Sequence, residues 1–204
     1  KELLENSLDA GAAAIDVTVR DAGKTLIQVR DNGAGIAEED LNSVFNRHAT
    51  SKLSAIDDLY AISSLGFRGE ALFSIAAVAD VTLETKTDAQ DPGWSVHVRG
   101  NERLSRKPVS MRTGTSIEVK ELFFNTPARK KFLKSNSTEF NRILDLFVPY
   151  TLLYPHIRFK MSHDDRTILE LALAKDLKDR IAEAMQVEKN DLIEGDRDYA
   201  EKNL

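Results

Sequence analysis

The spacing of apolar and polar positions changes period several times along the 204 residues, and each change marks an element. Over Lys1 to Ala10, Leu3, Leu4 and Leu8 fall on one side of a helical wheel. Glu2, Glu5, Asn6 and Asp9 gather on the other, and Gly11 stands where a helix stops. Ile15 to Asp21 alternates with period two, as a half-buried strand does. Ala22 to Lys24 turns the chain, and Leu26 to Asp31 returns, which predicts a hairpin. A glycine-containing turn, Asn32 to Gly35, leads into a predicted helix over Glu38 to Phe45. Asn46 to Leu65 is polar and irregular, with one short helical piece near Ile56 to Ile62. So long a loop inside a compact domain usually carries function.

Further along, the pattern predicts an apolar helix over Gly69 to Val78 and strands at Val81 to Thr87, Trp94 to Arg99 and Thr115 to Leu122. An amphipathic helix over Thr138 to Leu153 is expected to break near Pro149. Ile157 to Ser162 and Thr167 to Leu173 read as a second hairpin turned at His163 to Asp165, followed by a helix over Lys175 to Met185. The order of elements predicts helices layered on one face of a mixed sheet. A boundary near Leu173 to Lys178 would divide a first domain, 1–174, from the start of another, 175–204. The chain opens in an uncapped helix without a start methionine, so it is expected to be a fragment.

Composition narrows the choices. Apolar residues make up 42% of the chain and charged residues 30%, the profile of a globular protein. With no cysteine there is no disulfide framework, thiolate zinc site or cysteine nucleophile. The longest apolar run, around Leu146 to Tyr154, is half of what a membrane span needs, so no membrane association is expected. The net charge of −5 argues against a globally basic nucleic-acid binder but leaves room for a local basic patch.

Two familiar signals fail on inspection. Gly23-Lys24-Thr25 resembles the end of a phosphate-binding loop, but Thr18 sits where the first glycine belongs. Gly33-Ala34-Gly35 follows a strand, yet Glu38 occupies the place of a dinucleotide fingerprint's third glycine. The histidines, at 48, 97, 156 and 163, lack metal-ligand spacing. Four constellations remain. Glu2 and Asn6, four apart, project side by side; a carboxylate that takes a proton from water beside an amide oxygen that holds Mg²⁺ makes a hydrolytic pair, and also an ordinary solvated helix face. Asp31 to Gly35 can aim a carboxylate at a ligand from a strand end, or can be a plain turn. Leu65 to Leu72 brings two glycines and an arginine to a predicted helix N-terminus, which suits a phosphate as well as a simple cap. Arg129, Lys130, Lys131 and Lys134 cluster near aromatics, as a DNA-phosphate contact or as solvated surface.

Taken together and in this order, the motifs resemble the N-terminal ATPase region of the MutL family of DNA mismatch repair proteins. Lys1 to Ala12, Asp31 to Ile36, Leu65 to Leu72 and Gly114 to Val119 resemble its four motifs. Looser forms of the first, second and fourth run through the wider GHKL ATPases, including gyrase-type topoisomerases, sensor histidine kinases and heat-shock chaperones. Gly66 to Ala71, Arg47 to Lys52 and Asn125 to Arg129 are MutL-like in particular.

The resemblance implies an α+β fold, the two-layer GHKL (Bergerat) sandwich with helices on one face of a mixed sheet. It implies ATP and Mg²⁺ as cofactors and ATP hydrolysis as the activity. Glu2 would be the general base and Asn6 the magnesium ligand. Asp31 would accept from the adenine amino group, with Thr115 in the same network, and Ala10 and Gly35 would leave room for the nucleotide. Thr50, Ser51 and Lys52 would belong to a lid, and Gly66, Phe67, Arg68, Gly69, Glu70 and Ala71 would wrap the phosphates. The implied partners are DNA, a MutS-type mismatch-recognition protein, and a second copy or paralogue that closes on ATP through the N-terminal region. The compartment would be the bacterial cytoplasm and nucleoid, or the nucleus in a eukaryote. The segment that closes the dimer, and the following domain that supplies a lysine to the γ-phosphate, are expected to lie outside these residues. A gyrase-type subunit and a non-hydrolysing nucleotide clamp are the alternatives.

Overall fold

The computed structural model describes residues 1–47 and 70–193. Helix α1 (Glu2–Asp9) leads into the hairpin β1 (Ala14–Arg20) and β2 (Leu26–Asp31). Helix α2 (Ala71–Ala76) precedes β3 (Asp80–Lys86), β4 (Gly93–Arg99), β5 (Glu102–Val109) and β6 (Gly114–Lys120). Then come α3 (Pro127–Lys131), α4 (Asn136–Leu153), the hairpin β7 (Arg158–His163) and β8 (Arg166–Leu171), and α5 (Leu177–Met185).

Among the described residues, eight strands form one sheet in the order β5-β4-β3-β6-β2-β1-β7-β8. Every pairing is antiparallel except β1 with β7, where Ala14 faces Arg158 and Ile15 faces Phe159. The period-two patterns fall into register across these ladders. Val98, Val81, Val119 and Ile27 form one apolar row, and Val96, Leu83, Ile117, Val29, Val17 and Met161 the next. Leu3 and Leu4 of α1, Leu72 and Ala76 of α2, and Phe147 of α4 bury against that face. The opposite face carries Asp16, Gln28, Glu118 and Lys160, partly solvated. One apolar face covered by helices is the expected mixed two-layer arrangement.

Three local expectations change. The helix expected over Glu38 to Phe45 is a single 3-10 turn, Asp40–Asn42, which suffices to bury Leu41 and Phe45. Helix α4 does not break at Pro149 but runs through it to Leu153. Strand β5, absent from the pattern, pairs with β4 at the sheet edge. Helix α5 packs on α4 and β8. There Arg180 is fully buried, and its Nη2 donates to the Pro155 and Ile157 carbonyls, each at 2.7 Å.

A cavity of about 440 Å³ lies between α1, α4 and the sheet. Leu3, Ile27, Phe147 and Met161 line it, and Lys1 and Glu2 reach it; Asn6, Asp31 and Thr115 do not. Among the described residues, no helix is long and apolar enough to cross a membrane.

Candidate functional site

The site assembles where the apolar rows of the sheet end in polar ones. One step beyond Leu83, Ile117 and Val29, the register places Thr85, Thr115 and Asp31 side by side on β3, β6 and β2, on the helix-covered face. Helix α1 crosses beside this row, and the loop Asn32–Ile36 closes it.

Asp31 is held by everything around it. Its Oδ1 accepts from the Gly33 N–H at 2.9 Å and its Oδ2 from the Ser7 hydroxyl at 2.8 Å. Burial pushes the Asp31 carboxyl above its ordinary value, against the pull of the donors Gly33, Ser7 and the Thr115 amide. The loop itself is fixed to α1: the Ala34 N–H donates to the Ala10 carbonyl at 2.9 Å. Asn32 Oδ1 accepts from the amides of Ala13 and Ala14 at 2.9 and 2.8 Å, pinning the start of β1. A side chain at Gly33 would place its Cβ 2.7 Å from the Ala10 carbonyl oxygen, and at Gly35, with φ +74°, 2.1 Å from that of Lys86. Only glycine allows the chain to pass so close at these two points. Ala10 and Gly35 thus line a tight junction of α1, the loop and β3.

Three polar side chains of α1, Glu2, Glu5 and Asn6, have different circumstances. Glu5 is 4% exposed. Its Oε1 accepts from the Tyr150 hydroxyl at 2.6 Å and its Oε2 from Lys1 Nζ at 2.9 Å. Burial would raise its carboxyl, but these two donors outweigh burial and hold it below its ordinary value. The same burial, with the neighbouring carboxylate, raises the Tyr150 phenol. Glu2, one turn earlier, has a side chain 50% exposed and a single contact, 3.8 Å to Lys1 Nζ. Asn6 is half-buried, and its amide has no partner among the described residues. Of Glu2 and Glu5, Glu2 is the one whose oxygens are not both engaged by hydrogen-bond donors.

The remaining expected site residues fall into two groups. Thr50, Ser51, Lys52, Gly66, Phe67, Arg68 and Gly69 lie outside the described residues. Glu70 caps α2, with the Ser74 N–H donating to its carbonyl at 2.9 Å, and its carboxylate meets Arg47 at 3.6 Å; Ala71 opens the helix. Arg129, Lys130, Lys131 and Lys134 sit on or just after α3, all exposed, around Phe132, itself 77% exposed; none of their side chains has an acidic partner among the described residues, though the Lys134 N–H donates to Glu139 Oε1 at 2.7 Å.

Ser7, Thr85, Glu5 and Tyr150 escaped the sequence reading. Ser7 falls on the buried arc of α1 with Leu3 and Leu4, and Thr85 falls in the inward phase of β3 after Val81 and Leu83. A hydroxyl at an apolar phase was therefore the available signal for both.

No group of three or more histidine, cysteine or acidic side chains among the described residues could hold an ion. The Asn6 amide oxygen is of the hard type that Mg²⁺ accepts, an ion that keeps waters and takes further ligands from a bound phosphate.

Comparison with known proteins gives the family and the fold. Residues 1–126 match the family described as histidine kinase-, DNA gyrase B- and HSP90-like ATPase. The chain is 44% identical over 195 residues to the DNA mismatch repair protein MutL of Mannheimia succiniciproducens, covering 95% of this chain and 31% of that protein. It is 51% identical over 169 residues to MutL of Leuconostoc citreum, covering 83% and 25%. It thus spans a quarter to a third of the length of these relatives. Among solved structures, the Aquifex aeolicus MutL ATPase domain complexed with ADP superposes with a TM-score of 0.77 at 34% identity, over 92% of this chain and 67% of that one.

Proposed function

Because the chain belongs to the histidine kinase-, DNA gyrase B- and HSP90-like ATPase family, and within it to the ATPase region of the MutL proteins, we propose that it binds and hydrolyses ATP as the nucleotide switch of a DNA mismatch repair protein. The observation that carries this reading is the pairing of a fixed, half-buried carboxylate with a loosely held one. Asp31 is immobilised by Ser7 and Gly33, and it neighbours a helix whose Glu2 makes only a 3.8 Å ion pair with Lys1 and whose Asn6 amide has no partner among the described residues.

In this reading the two sets of residues divide the work. Asp31 accepts from the adenine amino group, and Thr115, 6% exposed and adjacent across the ladder, completes the base site. Ala10 and Gly35 keep the wall beside the nucleotide thin. Glu2 takes the proton of the attacking water, and Asn6 Oδ1 is the protein atom that would hold Mg²⁺. The bound ion supplies charge neutralisation at the phosphates. Thr50, Ser51, Lys52 and the segment Gly66–Ala71 belong to the phosphate side. Glu5 is excluded as the base because both its oxygens already accept from Tyr150 and Lys1.

The wider function follows from the same reading. ATP binding would close the whole protein into a dimer with itself or a paralogue, and hydrolysis would reset it while it works with a MutS-type partner on DNA in the bacterial cytoplasm. Arg129, Lys130, Lys131 and Lys134 are the proposed DNA contacts. Calorimetry with ATP and GTP, beside a phosphate-release assay with and without Mg²⁺, tests the core of it. Selective ATP binding and Mg²⁺-dependent turnover are expected; absence of ATP binding by the full-length protein would overturn it.

A further inference from the structure

Thr85 sits in the inward phase of β3, fully buried, directly across from Thr115 on β6. Three groups lie within hydrogen-bond reach of its hydroxyl. It accepts from the Ile36 N–H at 2.8 Å, donates to the Gly114 carbonyl at 3.1 Å, and lies 3.1 Å from the Thr115 hydroxyl. A carbonyl only accepts, so the single proton of Thr85 goes to Gly114. Either hydroxyl could be the donor in the contact between them; with the Thr85 proton on Gly114, it is Thr115. Its one proton points at Thr85, and what its oxygen offers to the rest of the site is lone pairs.

We propose that Thr85 is a specificity-determining positioning residue: by taking the Thr115 proton it makes the base end of the site acceptor-only, and so selects a purine with an exocyclic amino group at its six-position over one with a carbonyl there. Asp31 already offers only acceptor atoms. Were Thr115 free to rotate, its proton would suit a carbonyl oxygen as well as its lone pairs suit an amino group. The contact to Ile36 gives the same hydroxyl a second task, holding the backbone of the loop that follows Gly35. This inference rests on the nucleotide reading above and goes beyond it by naming the residue that sets the polarity of the site.

The test compares ATP and GTP affinity by calorimetry in the full-length protein. Thr85→Val keeps the volume of the side chain and removes the acceptor. The preference for ATP over GTP should fall about tenfold, the scale of one exchanged hydrogen bond, while Thr85→Ser should stay within about twofold of the parent. Because Thr85 acts through Thr115, the double variant Thr85→Val/Thr115→Val should match Thr115→Val alone. If Thr85→Val does not fold, Thr85→Cys, of similar size and a weak acceptor, carries the same comparison. A parent that prefers ATP, with Thr85→Val keeping that preference, overturns the role of Thr85 only. A parent that binds both nucleotides equally overturns the acceptor-only site, and one that binds neither overturns the nucleotide reading itself.

Discussion

The base end of the site and its hydrolytic end are built on opposite principles. At the base end, Asp31, Ser7, Gly33, Thr85 and Thr115 are buried or half-buried and tied to one another before any ligand arrives. At the hydrolytic end, Glu2 is half in solvent and Asn6 has no partner among the described residues. A network already satisfied by protein costs little further ordering when a base docks, so it favours affinity. Side chains left free gain their full interaction only when water, phosphate and metal come together, so they favour turnover. The comparison teaches that affinity and rate should be separable by mutation, although the residues concerned share one helix, three adjacent strands and the loop after one of them.

The largest expected effect tests the hydrolytic end. In the full-length protein, Glu2→Ala should reduce phosphate release at saturating ATP by about 10²–10⁴-fold, with ATP affinity by calorimetry within about twofold of the parent. Turnover at the parent's rate would move the base elsewhere on the molecule.

Asp31→Asn should do the reverse. An amide can turn its NH₂ toward the adenine amino group, and the resulting mismatch should weaken ATP binding by about 1–3 kcal/mol. Its effect on stability should have the other sign. The folded carboxyl of Asp31 lies above its ordinary value because of burial. It therefore contributes stability that is fully present below the unfolded-state pKa and is lost as pH rises through the folded one. Above that folded value the parent carries the loss, whereas the amide does not titrate. Asp31→Asn should melt no lower than the parent at pH 7, with any advantage shrinking as pH falls through the carboxylate range. A large drop in melting temperature at pH 7 would show that the hydrogen bonds to Asp31 outweigh its burial.

Tyr150→Phe sharpens the comparison from outside both ends. Glu5 would keep Lys1 but lose its other donor, at a cost to folding of about 1 kcal/mol. Denaturant melts should show that loss, with ATP affinity retained. A loss of affinity larger than the loss of stability would place the Tyr150–Glu5 contact inside the site. The smallest effect is expected at the basic cluster, which should touch neither end: neutralising Lys130 and Lys131 together should flatten the log–log salt dependence of DNA binding by nearly two units. An unchanged slope would return these side chains to ordinary surface.

Much of this was legible in the residues, and the gaps have physical causes. The strand β1 of the first hairpin, the inward phase of β3, and the helices α1 and α4 follow from periodicity, because each buries one face more than the other. Strand β5 does not: it is an edge strand largely exposed on both faces, so Glu102 to Val109 has no alternation to read. A helix is expected over Glu38 to Phe45, but a single 3-10 turn stands there, with Leu41 in it and Phe45 after it both buried. Pro149 lacks only its own N–H, and the tertiary packing of Phe147 and Thr151 on either side carries α4 through it. At the site, the motif residues Glu2, Asn6, Asp31 and Thr115 could be named from sequence. Their supports could not, because Tyr150 reaches Glu5 across 145 positions and Thr85 reaches Thr115 across 30.

The lone parallel pairing, β1 beside β7, has a consequence for the protein while it is being made. The hairpin β1–β2 emerges from the ribosome early, but the strand that covers the outer edge of β1 is encoded roughly 140 residues later. At typical synthesis rates that leaves a bare strand edge for about 7–30 seconds. During that interval Ala14–Arg20 offers unpaired backbone groups to any other nascent chain. Chains stalled before residue 158 should bind holding chaperones or aggregate, and chains stalled far enough past residue 163 for β7 to clear the exit tunnel should do so less. A crossover chosen by the fold thus sets the time at which a growing chain is most in need of protection.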